Sequence, residues 1–419
     1  MAKKDFKDKK SPQYLKFLIQ YRFPASKNEA LPIKPEKLNQ LIKESSQKAT
    51  QNYKKLSSPK TCDLPTYINY WTQQTVITEL AKKKLIKLGP GITFRRDDIL
   101  NQLNQALIRY FSLLPMEEIE ERRREILDPL PYSKRELAWK KNQALARKLE
   151  NAFKDLAEGR NQLAQKKGYQ KYPELACANG QIPKSVFRNF NKNVDEIIIQ
   201  IHQQLPKLTD LPPWFYSPLN LPCFICRLPF PDLKIPEDVF DLAEKEYPLL
   251  KDYRQKISVH LRKKTRIEYE KKTDRFRIEL IKRENKRHQT LGLIHELGHA
   301  IVMIREFKKG KTPLETGKYK TEKMASEIEL KLLKKLSPMV FKGRLADILL
   351  VFHRVLFEMA VYENLKQDLP QLYAKTFNRC FPEAKQKRNW LYLFDEMIVL
   401  KPLSSLPQAV AYVELLSKK

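Results

Sequence analysis

Thr290-Leu-Gly-Leu-Ile-His-Glu-Leu-Gly-His-Ala-Ile-Val-Met-Ile304 is the stretch that decides how the rest of the chain is read. It is apolar almost throughout, which predicts a helix buried on most of its circumference. His295 and His299 stand four positions apart, so on a helix they share one face a single turn apart. Two neutral imidazoles so placed can hold one Zn²⁺ ion at roughly 2.0–2.1 Å each. Glu296 follows the first histidine and is positioned to act as a general base on a metal-held water. Burying two imidazoles and a carboxylate without partners would be costly. The whole chain has only 6 histidines, so the pairing carries information. Gly292 and Gly298 each cost such a helix about 1 kcal/mol relative to alanine. Close approach of a neighbouring strand or a plain packing constraint would each account for them.

A third ligand is needed, and the next helical pattern offers one. At about 100° per residue from Thr321, Glu322, Ala325, Ser326, Glu329, Leu332, Leu333 and Leu336 fall on one face. Glu327, Lys331, Lys334 and Lys335 fall on the other. Carboxylates on a core-facing stripe are rarely idle. Glu322, 23 residues beyond His299, is the expected third ligand, and Glu327 the fallback on the wrong face. The competing reading makes Glu322 a first-turn carboxylate favoured by the helix dipole. Ser326 and Glu329 are expected to orient the ligands or a neighbouring chain by hydrogen bonds.

Just before the histidine helix, Thr265–Tyr269 and Arg275–Ile281 alternate apolar and polar residues, which predicts a β-hairpin. Its second strand would offer an edge to an extended peptide, with Phe276, Arg277 and Ile278 as expected contacts. Elsewhere the pattern is helical. One long helix is expected over Lys134–Lys166, and another over Ser185–Gln204 with Phe187, Phe190, Val194, Ile197, Ile198 and Ile201 inward. Further helices follow at 321–336, 343–366 and 370–381, with a last segment ending in Tyr412–Leu416. Glycine is scarce at 10 residues, which disfavours turn-dense all-β classes. The expected class is mainly α with a small antiparallel β-sheet. Residues 1–139 read as a basic helical region and 140–419 as the domain carrying the site.

The formal net charge is +31, spread along the chain with no folded nucleic-acid motif beside it. It implies weak, nonspecific association with polyanions in low salt rather than a dedicated nucleic-acid binder. Met1–Lys10 lacks the apolar core of a secretory signal. Leu345–Val361, interrupted by Asp347, His353, Arg354 and Glu358, reads as a buried helix rather than a membrane span. A cytoplasmic protein is therefore expected. Of the 5 cysteines only Cys223 and Cys226 are closely spaced. A single CxxC is weak evidence for a second metal or redox site.

His295-Glu-Leu-Gly-His299 followed by Glu322-x-x-x-Ser326-x-x-Glu329 resembles the thimet oligopeptidase and oligoendopeptidase F-like zinc peptidases. Leu149–Tyr172, with Arg160, Ala164, Gly168 and Tyr169, resembles that family's segment before the catalytic core. Val351–Leu365 and Leu369–Phe381 resemble helices after the third ligand. The resemblance covers about residues 140–419. It implies a mostly helical, bowl-shaped zincin-type fold with a small sheet and a central channel. It also implies one Zn²⁺ ion, a peptide substrate, and short unstructured peptides as the class cleaved. The family supplies a C-terminal His and Tyr pair to bind substrate and stabilise the oxyanion. Here the matching stretch, Trp390–Pro402, has no histidine. Asp395 and Met397 stand where those groups are expected, and Tyr392 is the available substitute. A peptidase and a catalytically silent zinc-binding scaffold both remain open on the sequence. Other HExxH peptidases with a downstream Glu-bearing helix share much of the pattern.

Overall fold

The structure is a computed structural model, and it describes residues 132–205, 236–262, 265–270, 273–282, 286–310 and 317–417, with isolated positions between 106 and 122. Cys223 and Cys226 lie outside the described residues. The chain divides into two compact units. One comprises Met1–Glu118 with Leu149–Tyr172, the other Ile119–Lys148 with Pro173–Lys419.

The first unit contributes α2, Glu150–Lys166, whose Ala152, Phe153, Leu156, Ala157, Leu163 and Ala164 are buried. In the second unit, α1 spans Tyr132–Arg147. The single helix expected over 134–166 is thus two. Lys148 donates to the Leu145 carbonyl, a tightened turn that ends the first helix before α2 begins. No glycine or proline marks the break, so nothing in the pattern announced it.

The rest of the second unit is a succession of helices around one small sheet. α3 (Tyr172–Asn179) and α4 (Lys184–Gln204) come first. In α4, Phe190, Val194, Ile197, Ile198 and Ile201 are buried as their spacing predicts, while Phe187 is only half-buried. α5 (Glu237–Glu246) leads to the sheet. Its strands are β1 (Ile257–Arg262), β2 (Arg266–Glu270) and β3 (Arg275–Ile281), in spatial order β1-β3-β2. β2 and β3 form the expected antiparallel hairpin, with Ile267 opposite Ile278 and Tyr269 opposite Phe276. β1 pairs in parallel with the far side of β3, so the sheet is mixed rather than wholly antiparallel. Only Ile257 of β1 is fully buried, and Leu261 is exposed, which gives that strand a weak apolar signature.

Alternation along β3 sets the two faces of the sheet. Phe276, Ile278 and Leu280 point into the core. Arg277 and Glu279 join an ion-pair ladder with Glu268 and Arg266 on the wet face, including Arg266 Nε to Glu279 Oε2 at 2.8 Å. Tyr269 and Phe276 stack toward Phe307 of the following helix, their ring centroids 4.7 and 6.4 Å from it.

That helix, α6 (Lys286–Lys308), carries the quoted stretch. Leu291, Leu293, Ile294, Leu297, Ala300, Ile301, Val302 and Ile304 are all buried, so it is enclosed nearly all round. It packs on α7, Lys318–Leu336. Gly298 is where the two helices come nearest: a Cβ there would lie 2.8 Å from the Ala325 carbonyl oxygen. The close approach is therefore to a helix, whereas a Cβ on Gly292 would face Thr265 and Leu280 beside the sheet.

α8 (Pro338–Glu363) is capped by Ser337, whose hydroxyl accepts from the Met339 N–H at 3.3 Å. α9 (Leu369–Cys380) is capped the same way by Asp368 on the Gln371 N–H at 3.1 Å. A short α10 (Glu396–Val399) and the last helix, α11 (Leu406–Leu416), complete the chain. α11 is almost wholly buried and packs along α7 and α4. Among the described residues, no helix is long and apolar enough to cross a membrane.

Candidate metal centre

α6 and α7 bring three side chains to one point. His295 Nε2 and His299 Nε2 lie 3.2 Å apart. Glu322 Oε2 is 3.7 Å from each of them. Donors held tetrahedrally at 2.0–2.1 Å from a common Zn²⁺ would be spaced about 3.3 Å from one another. The observed triangle matches that spacing within a few tenths of an ångström. The three side chains keep between 13 and 21% of their surface, enough for an ion and a water to reach them. Among the described residues this is the one group of three or more His, Cys, Asp or Glu side chains close enough to share a metal.

The placement follows from local sequence. Four-residue spacing stacks the two imidazoles on one face of α6, and the glycine between them lets α7 approach. α7 begins at Lys318, earlier than Thr321. Its first turn is pinned by the Gly180–Gln181 turn, with Tyr319 N–H donating to the Gly180 carbonyl at 3.0 Å. Lys318 N–H donates to Gln181 Oε1 at 3.1 Å. Along α7, Ala325, Ser326, Glu329, Leu332 and Leu333 are buried, and Glu327 is exposed on the opposite face. The fallback ligand thus points to solvent.

Behind the triangle sits Glu329, with no solvent exposure. Its Oε2 accepts from His295 Nδ1 at 3.0 Å, which leaves Nε2 aimed at the other two donors. The same oxygen accepts from Tyr412 Oη at 2.9 Å, and Oε1 pairs with Arg344 Nε at 2.6 Å. Ser326 is buried one turn earlier on the same face of α7. Sequence reasoning did not single out Arg344 or Tyr412. The one signal was an arginine inside an apolar helix and a tyrosine in the apolar run of α11.

These contacts set the electrostatics. Burial pushes the Glu329 carboxyl up, but the Arg344 and His295 charges and their hydrogen bonds outweigh it and hold it down at about 2. Burial pulls His295 down, and Glu329 with Glu322 overcomes this, leaving it at about 9. At His299, burial and the His295 charge outweigh the pull of Glu322 and Glu329 and lower it to about 4. Burial raises Glu296 to about 7, against the pull of the His295 charge and of the nearby Ile267 N–H. Glu296 therefore stands beside the outer strand of the sheet, β2.

The residues expected to contact a peptide are placed otherwise. β3 is the central strand, paired on both sides, so it has no free edge. Phe276 and Ile278 are fully buried, and Arg277 is paired to Glu268 on the wet face. The alternating pattern does form a strand, but pattern alone does not say which strand ends up outermost. Tyr392 is also fully buried, in a cluster with Phe357 and Tyr373 at ring distances of 4.9 and 5.3 Å. Asp395 is engaged by Arg354 Nε at 2.8 Å and caps the Met397 N–H at 2.9 Å.

The sequence matches no protein-family model and no curated protein. Solved structures do match. An oligoendopeptidase F solved at 3.1 Å aligns over 88% of this chain and 74% of its own, with 15% identity and a TM-score of 0.52. PZ peptidase A with an inhibitor aligns over 90% and 74%, at 16% identity and a TM-score of 0.48. An oligoendopeptidase F from Bacillus anthracis aligns over 90% and 72%, at 13% identity and a TM-score of 0.44. The fold is thus a mostly helical one of the peptidase type, with a small mixed sheet beside the site. More particularly, the first of these likenesses makes it an oligoendopeptidase F-like fold.

Proposed function

We propose that the chain is a zinc-dependent peptidase that hydrolyses short peptides. The observation that carries this reading is the triangle of His295, His299 and Glu322 with Glu296 one residue from its first corner. The donor set suits Zn²⁺: two imidazoles and one carboxylate, with an open fourth direction, are the ligands of a catalytic rather than a structural zinc site. Zn²⁺ bound there would polarise a peptide carbonyl and lower the pKa of a held water from 15.7 toward about 7. With the ion bound, Glu296 would serve as the base that accepts a proton at its carboxylate and as the acid that returns it to the departing amine nitrogen. Glu329 keeps the His295 proton on Nδ1, so that Nε2 presents its lone pair. A peptide in extended form pairs with the outer edge of β2, whose Ile267 lies beside Glu296. The positive net charge favours acidic peptides among those short enough to enter.

A second reading is a zinc-holding scaffold without turnover. It is favoured by Trp390–Pro402, where no imidazole is present and Tyr392 and Asp395 are both committed to packing and ion pairing. A quenched-fluorescent peptide library, assayed with and without a chelator, separates the two. Chelator-sensitive cleavage is expected, and Glu296→Gln should lower it by at least a hundredfold while zinc stays bound. Zinc present without chelator-sensitive cleavage would favour the scaffold, and full activity in Glu296→Gln would remove Glu296 from the chemistry.

A further inference from the structure

Arg344 and Tyr412 come from two separate elements, α8 and α11, and both end on the carboxylate of Glu329. Tyr412 Oη donates to Glu329 Oε2 at 2.9 Å and itself accepts from an Arg344 guanidinium nitrogen at 2.7 Å. Arg344 Nε meets Glu329 Oε1 at 2.6 Å, and a second nitrogen of the same guanidinium lies 3.3 Å from Oε2. Glu329 and Tyr412 have no exposure, and the Arg344 side chain keeps 14%. A buried carboxylate accepting from an imidazole, a phenol and a guanidinium has its oxygens fixed in direction as well as in charge. α11 touches α7 again near its start, where Glu414 accepts from Tyr319 Oη and pairs with Lys323 Nζ at 2.7 Å. Lys323 directly follows Glu322, so the last helix grips α7 on both sides of the metal-facing carboxylate.

We infer that Arg344 and Tyr412 are positioning residues for the metal centre, acting through Glu329 on the orientation of the His295 ring. The inference rests on the zinc reading above. It assigns α8 and the C-terminal helix to holding one metal ligand in place from behind, through one residue each. Neither residue is among the three donors.

The test is zinc affinity, measured on the full chain by competition with a chromophoric chelator, beside the melting temperature of the metal-free protein. Tyr412→Phe removes one oxygen and keeps the packing. It is expected to weaken zinc several-fold with little change in melting. Arg344→Met should weaken it by about 10–100-fold, the usual cost of removing a group that orders a ligand. In a Glu329→Gln background both effects should largely vanish, because both residues act through the same carboxylate. If Arg344→Met does not fold, Tyr412→Phe alone decides the matter. Zinc affinity within twofold of wild type in Tyr412→Phe would overturn the inference, as would an equal loss in the Glu329→Gln background. Wild-type protein that binds no zinc would instead overturn the metal-centre reading itself, a separate and recognisable failure.

Discussion

His295 shows what a single side chain needs in order to serve in the proposed metal centre. One ring nitrogen is committed to Glu329 and the other faces His299 and Glu322. The two imidazoles and both carboxylates were legible in the sequence, because four-residue and seven-residue spacings fix which groups share a helix face. The partners of Glu329 were not legible. Arg344 and Tyr412 lie 15 and 83 residues beyond it, and their convergence depends on how three helices pack. Tyr392 misled for a related reason: position along the chain suggested a substrate group, and packing put it in the core. His353 offers a prediction at this scale. It is buried against Tyr373 and Phe377, and burial with the neighbouring Arg354 charge pushes its imidazole down to about 3. An unfolded histidine titrates near 6.5. Between those values the unfolded chain holds a proton that the folded chain refuses, so stability is complete above about 6.5 and falls as the pH drops toward 3. Denaturant midpoints from pH 7 to 5 should therefore fall more steeply in wild type than in His353→Phe. Parallel slopes would count against this account of the buried ring.

The elements were read with unequal success, and the reasons differ. The hairpin, α4, α7 and α9 carry strong periodicity or flanking caps and were foreseen within a few residues. The break between α1 and α2 has no breaker residue, and β1 is too exposed to alternate cleanly. Register and order within the sheet are set by tertiary contacts, which is why β3 was mistaken for an edge. The contact between α6 and α7 is the element-level feature on which the site depends. Replacing Gly298 by alanine should gain about 1 kcal/mol of helix propensity. It would also drive a methyl group to 2.8 Å from the Ala325 carbonyl oxygen. Overpacking of this kind typically costs about 1–3 kcal/mol, and backbone on the opposing side has little room to yield. The steric term wins, so Gly298→Ala should melt below wild type and bind zinc more weakly. A variant melting at or above wild type would mean that the helices are not held this close.

For the molecule as a whole, one geometric requirement connects fold and function. A mostly helical chain with a small mixed sheet brings α6 and α7 together so that His299 and Glu322, 23 residues apart in sequence and proposed as ligands, meet within a few ångströms. The sheet lies alongside, with the edge strand β2 beside Glu296, and the last helix closes the far side of α7. Each of these placements loses its purpose if no metal is held. The most direct measurement is the zinc content of the purified full chain, wild type beside Glu322→Ala, after exhaustive dialysis against metal-free buffer. The account predicts close to one zinc per wild-type chain and a large loss of zinc in the variant. Wild-type chains free of zinc, or a Glu322→Ala protein that retains it fully, would contradict it.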